Sequence, residues 1–176
     1  MLKIFTTQLS GYFKRIEEKE EFNIEDAARL LSQAIVGDGN VYVYGAREMK
    51  SVMFEALESE EPLQGAKPLL TMENLDNVTP ADRVLLVSRF SDDQESIIIA
   101  KKLAEKSIPL VGMSALRASE DETLDQVVDV HIDTKLTKPL IPDEEGNRYG
   151  FPAVMTSLYA YYAVSLTMKE IISEYE

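Results

Sequence analysis

Apolar residues recur along this chain with two different periods, and the switches between them mark out its elements. Leu2, Phe5, Leu9, Tyr12 and Ile16 fall three and four apart, the spacing of one stripe on a helix. Asn23, followed by Ile24, Glu25 and Asp26, reads as the cap of a second helix with acid in its first turn. Ala27, Leu30, Leu31, Ala34 and Ile35 supply that helix's apolar face, and Gly-Asp-Gly at 37–39 stops it. Val41 to Tyr44 then reads as a strand, Glu48 to Leu57 as a helix, and Pro68 to Met72 as a weaker strand. Val84 to Val87 is continuously apolar, as in strands covered on both faces. Asp92 to Lys106 predicts a helix with Ile97, Ile98, Ala100, Lys101 and Ala104 near its buried side. Ile108–Met113 and Asp129–Asp133 are the last strands, with a polar loop and a short helical turn between them. Residues 138–152 form a long irregular connection, and Pro152 suits the first turn of a closing helix.

Strands alternating with helices at this spacing predict a three-layer αβα sandwich around a parallel sheet of about five strands, with right-handed crossovers. No repeat or linker divides the chain, so residues 1–176 read as a single domain. The helix at 2–18 lies outside the minimal α/β unit and reads as an oligomerisation extension. Tyr159, Tyr161, Tyr162 and Met168 surround much of the closing helix, and a helix apolar on most sides needs cover from more than one neighbour. Together these features predict a homodimer or larger oligomer. Core packing within one chain is the competing account.

Composition narrows the function classes. The net charge of −13 repels the phosphate backbone, which argues against nucleic-acid binding. No apolar run approaches a membrane span and no signal peptide opens the chain, so a cytoplasmic protein is expected. The absence of cysteine excludes disulfides, thiolate chemistry and cysteine-ligated zinc. The acidic runs at 17–21 and 58–61 read as solvated helix faces, because adjacent helical carboxylates do not converge on one ion. Neither a metal site nor a cofactor is expected.

In VYVYGAREMKS, residues 41–51, a strand runs into a glycine just before a helix, a place where unpaired helix N–H groups commonly receive an anion. The order of GNVYVYGA, RVLLVSRFS, IPLVGMSA and DVHID between helices resembles the SIS (sugar isomerase) superfamily, and within it the small phosphoheptose-isomerase-like proteins. That resemblance implies a flavodoxin-like parallel sheet and two loops that bind a phosphosugar. Gly45 matches the first glycine of the first loop, while Ala46, Arg47, Glu48 and Met49 depart from its small residues and serine. Ser88 fits the first serine of the second loop, but Phe90 and Ser91 stand where serine and glycine are usual, and Asp92 and Asp93 add negative charge. The family's catalytic glutamate corresponds to Glu55 or Glu58, a choice the sequence leaves open. The closing helix lacks the family's histidine. His131, the chain's single histidine, lies between Val130 and Ile132 in the last strand and reads as structural.

Arg47, Arg89 and Arg117 each follow a predicted strand, and in doubly wound sheets those ends form the ligand crevice. Three arginines there suit bidentate binding of phosphate or carboxylate, unless each pairs with local acid such as Glu48, Asp92 or Glu120. The candidate ligand-binding set is therefore Gly45, Ala46, Arg47, Ser88, Arg89, Ser91 and Arg117, with Arg148 and Tyr149 able to line the same crevice. The partner this implies is a phosphorylated small molecule. Three readings remain: an SIS-like domain that binds a sugar phosphate or related anion without isomerase catalysis, a phosphosugar isomerase with relocated groups, and a dimeric structural or regulatory protein with a decayed site.

Overall fold

A computed structural model describes residues 1–70 and 72–175. Five parallel strands form one sheet in the order β2-β1-β3-β4-β5. They are β1 (Val41–Gly45), β2 (Ala66–Pro68), β3 (Arg83–Phe90), β4 (Leu110–Ala115) and β5 (Val130–Asp133). Side chains alternate between two buried faces, as the two-residue period of a strand requires. Val41, Val43, Leu85 and Val87 join the larger core, whereas Tyr44, Val84 and Leu86 join the smaller one. Helices α1 (Leu2–Val36), α2 (Lys50–Glu58) and α5 (Ala153–Ser173) cover the first face. Helices α3 (Gln94–Glu105) and α4 (Leu124–Val127), with a 3-10 segment at Met72–Asn77, cover the second. The αβα sandwich is as the pattern predicts.

Several boundaries differ from the sequence expectation, each for a physical reason. Asn23 caps nothing: α1 is one helix of 35 residues, and the Asn23 side chain donates to Glu20 inside it. The stripe Leu9, Tyr12, Ile16, Glu20, Ile24, Ala27, Leu31 continues through the polar stretch, so a second start is unnecessary. That stripe is buried against α5 within one chain, with Phe13 stacked on Tyr159 at 4.6 Å. Leu9, Tyr12 and Ile16 of the 2–18 segment are thus part of this chain's core, while Leu2 and Ile4 stay exposed.

Strand β2 lies at Ala66–Pro68, earlier than 68–72, and Thr71 of the expected span is outside the described residues. On α3 the buried stripe is Ser96, Ile97, Ile99, Ala100 and Leu103. Ile98, Lys101 and Ala104 instead face solvent, because the face packed into the second core is the one that carries Ile97, Ile99, Ala100 and Leu103. The 138–152 connection carries a small antiparallel pair, β6 (Ile141–Pro142) with β7 (Arg148–Tyr149). Pro152 stands immediately before α5.

Between β1 and β3 the strand order reverses, so the loops leaving these neighbouring strands part to opposite faces. A crevice opens at their carboxyl ends.

Candidate functional site

Three turns meet at that crevice. The first follows β1 and is a 3-10 turn, Arg47–Met49. Gly45 is required here by proximity, since a Cβ would stand 2.2 Å from the Met49 carbonyl oxygen. Its own φ is not positive; the left-handed residue is Arg47, at φ 51°. The expected cradle of free amides is largely consumed: Ala46 N–H donates to Val87 O at 2.9 Å and Met49 N–H to Ala46 O at 2.9 Å. What the turn offers to solvent is the Arg47 side chain, which is exposed and makes no hydrogen bond or ion pair among the described residues.

The second turn follows β3. A register irregularity between Val87 and Phe90 accompanies the strand's extension past Ser88, so Arg89 belongs to the strand rather than the loop. Arg89 Nε donates to Glu48 Oε1 at 2.5 Å. Burial opposes charge on Glu48, but the hydrogen bond from Arg89, that from its own backbone N–H, and the nearby Arg89 and Arg47 charges outweigh it and hold the carboxyl below its ordinary range. The same hydrogen bond raises the Arg89 guanidinium. Asp93 caps α3, accepting from Ser96 N at 2.9 Å and Ser96 Oγ at 2.7 Å. The positive end of α3 therefore lies at the crevice, with Gln94 and Glu95 in its lining. Beneath Glu95, burial and then the Glu95 and Asp93 charges push the Tyr44 phenol well above its usual range.

The third turn follows β4 and carries Arg117. Its Nε lies 3.2 Å from Asp92 Oδ2, and its guanidinium stacks 4.5 Å from the centre of the Phe90 ring. Phe151, just before α5, packs edge-on to the same ring at 5.8 Å. The result is a cleft of about 650 Å³ whose lining includes Ala46, Arg47, Arg89, Phe90, Asp92 and Arg117.

The candidate residues thus divide. Arg47, Arg89, Arg117 and Ala46 come together in the cleft. Ser88 and Ser91 are buried and brace the loops instead: Ser88 Oγ donates to Phe90 O at 2.8 Å, and Ser91 Oγ accepts from Arg117 N at 3.0 Å. Arg148 is spent on the Pro139 and Leu140 carbonyls at 2.9 and 2.7 Å, and neither it nor Tyr149 lines the cleft. Glu55 accepts a hydrogen bond from Tyr162 of α5, Glu58 is exposed, and neither lines the cleft. His131 lies on β5, bonded at 2.8 Å to the buried Ser114 hydroxyl of β4, with burial lowering its proton affinity.

Two features escaped the sequence reading. The Phe90–Phe151 shelf joins residues 61 positions apart, and no periodic signal links them. The left-handed Arg47 had a faint signal in the non-glycine residue two places past a strand-ending glycine. The alternative fate of the arginines, pairing with local acid, holds for Arg89 with Glu48 and Arg117 with Asp92, and among the described residues not for Arg47.

Comparison with known proteins decides the family. A family described as a domain of unknown function, DUF2529, matches residues 1–172. The chain belongs to that family. An uncharacterized Bacillus subtilis protein, YwjG, is 49% identical over 175 residues, 99% of each chain. The DUF2529 chain also shares the fold of solved sugar isomerase (SIS) domains. Escherichia coli CFT073 c3406, solved in complex with a sugar phosphate, matches with a TM-score of 0.66 at 13% identity, over 97% of this chain and 89% of that one. Phosphoheptose isomerase GmhA from Neisseria gonorrhoeae matches at 0.63 and 10% identity, over 98% of this chain and 97% of that one. The resemblance read from the sequence is correct for the fold. Among the described residues, no helix is long and apolar enough to cross a membrane.

Proposed function

We propose that this protein is a single SIS-like domain whose cleft binds the phosphate of a sugar phosphate or related phosphorylated metabolite, without isomerase catalysis. The observation that carries the reading is Arg47. A left-handed conformation is costly for a residue with a side chain, and here it holds a guanidinium with no hydrogen bond or ion pair among the described residues at the sheet's switch point. The α3 N-terminus faces the cleft behind its Asp93 cap, and the exposed Glu95 of the lining suits a hydroxyl group of the ligand. The c3406 complex with its sugar phosphate is a precedent within the same fold.

Against catalysis stands the lack of a histidine–carboxylate pair lining the cleft among the described residues. Glu55 is engaged by Tyr162, and His131 is held by Ser114 on β4 and β5. The outer face of α5 leaves Met155, Tyr162 and Leu166 exposed beside α2, which carries exposed Phe54, and this face serves a homodimer of a cytoplasmic protein. Light scattering that gives a monomer mass at micromolar concentration rejects the dimer.

Thermal shift against paired sugars tests the binding claim. A ligand at about ten times its Kd adds about 1.4 kcal/mol, a rise of roughly 3–6 °C for a domain of this size. Phosphorylated sugars should give that rise and their neutral counterparts none. Equal shifts from both, or aldose–ketose turnover of a stabilising phosphosugar, would reject this function.

A further inference from the structure

The Glu48–Arg89 pair has a geometry that bears on how the cleft fills. Arg89 and Arg47 both line the cleft, yet only Arg89 is already engaged by a carboxylate. That carboxylate comes from the residue next to Arg47, on the same 3-10 turn. Both partners are partly exposed, at 41% for the Arg89 side chain and 33% for Glu48, so the contact can open to water without stranding a buried charge. Burial still disfavours ionised Glu48, which leaves its charge dependent on Arg89, its own backbone N–H and Arg47. Asp93 acts on Arg89 as a second carboxylate but is retained by its cap on Ser96.

We propose that Glu48 is a built-in competitor of the ligand: it holds on Arg89 the position that the ligand's anionic group takes on binding, and so sets the affinity threshold of the cleft. This deepens the anion-binding function and rests on it. Arg47 makes the first contact because no hydrogen bond or ion pair holds it among the described residues. Arg89 joins only when an anion outcompetes a carboxylate tethered a short distance away, whose effective concentration is on the order of millimolar. Neutral ligands offer Arg89 only uncharged acceptors, which bind about half as strongly as ionised ones. The competitor therefore restricts the cleft to ligands that bring their own negative charge.

This assigns an unusual sign to a site residue. Removing Glu48's charge should tighten binding, whereas removing a contact residue weakens it. Glu48→Gln keeps the side chain's size and its acceptor for the residue's own N–H, so the turn is retained. Calorimetric titration with ribose 5-phosphate provides the test, on the wild type, Glu48→Gln, Arg89→Ala and the double variant. Glu48→Gln should bind roughly fivefold tighter, from the released guanidinium and the lost repulsion. The gain should vanish in the Arg89→Ala background. An unchanged melting temperature without ligand confirms the fold of each protein. If the wild type binds and Glu48→Gln binds equally or more weakly, or the gain survives Arg89→Ala, the competitor role is wrong and the anion site stands. If neither wild type nor Glu48→Gln binds at about 10 mM, the anion site fails, and the competitor with it.

Discussion

Gly45 and Met49 approach so closely that a Cβ on the glycine would lie 2.2 Å from the Met49 carbonyl oxygen. The obstructing atom is backbone, so it cannot move aside as a flexible side chain would. Gly45→Ala should therefore destabilise the protein by about 3 kcal/mol, toward the upper end of the usual range for point mutations. Urea denaturation measures this. A loss below about 0.5 kcal/mol would mean that the turn is not pinned to the strand as described.

Arg47 should trade stability for function. Its φ of 51° suits glycine, and releasing that strain should offset the extra entropy that glycine gives the unfolded chain. Arg47→Gly is expected to leave stability unchanged or raise it by up to about 1 kcal/mol, while weakening phosphate-ester binding about tenfold or more. Thermal melts alone and with ligand read both effects.

Glu20 joins α1 to the far end of β5. Its carboxylate accepts from Lys135 Nζ at 2.5 Å, Asn23 Nδ2 at 2.8 Å and Asp133 N at 3.2 Å, and the residue is only 5% exposed. Lys135 also holds Asp133 at 3.1 Å, which softens the loss of one partner. Glu20→Ala should cost about 1–3 kcal/mol, the penalty for leaving part-buried donors unpaired. The difference in urea midpoint, with unchanged slope, checks it.

His131 should make stability depend on pH. Burial lowers its pKa from the ordinary 6.5, so between the two values the unfolded chain binds the proton and the folded chain does not. The stability this residue preserves is complete above about 6.5 and declines as pH falls toward the lower, folded value. His131→Gln should flatten that slope. Parallel slopes for wild type and variant would show that the imidazole protonates freely in the folded state.

The middle of the sheet was legible because β3 and β4 are buried on both faces and read as unbroken apolar runs, such as Val84 to Val87. The break expected at Asn23 was misread because a local capping signal was weighed against a stripe whose buried member at that point is charged: Glu20, neutralised by Lys135 from 115 positions away. The three cleft arginines were legible from strand ends alone. Their individual fates were not, since pairing with Glu48 or Asp92 depends on the exact approach of two turns. The serines failed as ligand candidates for a similar reason, because Ser91 reaches the Arg117 backbone across 26 positions.

The central claim is that an anion enters the cleft at Arg47, and residue-by-residue NMR titration of the labelled protein with ribose 5-phosphate tests it most directly. Shifts should concentrate at 45–49, 88–95 and 115–117, saturate with one Kd, and fade in Arg47→Ala. Shifts confined to other surfaces, or a response in Arg47→Ala equal to that of the wild type, would contradict the account.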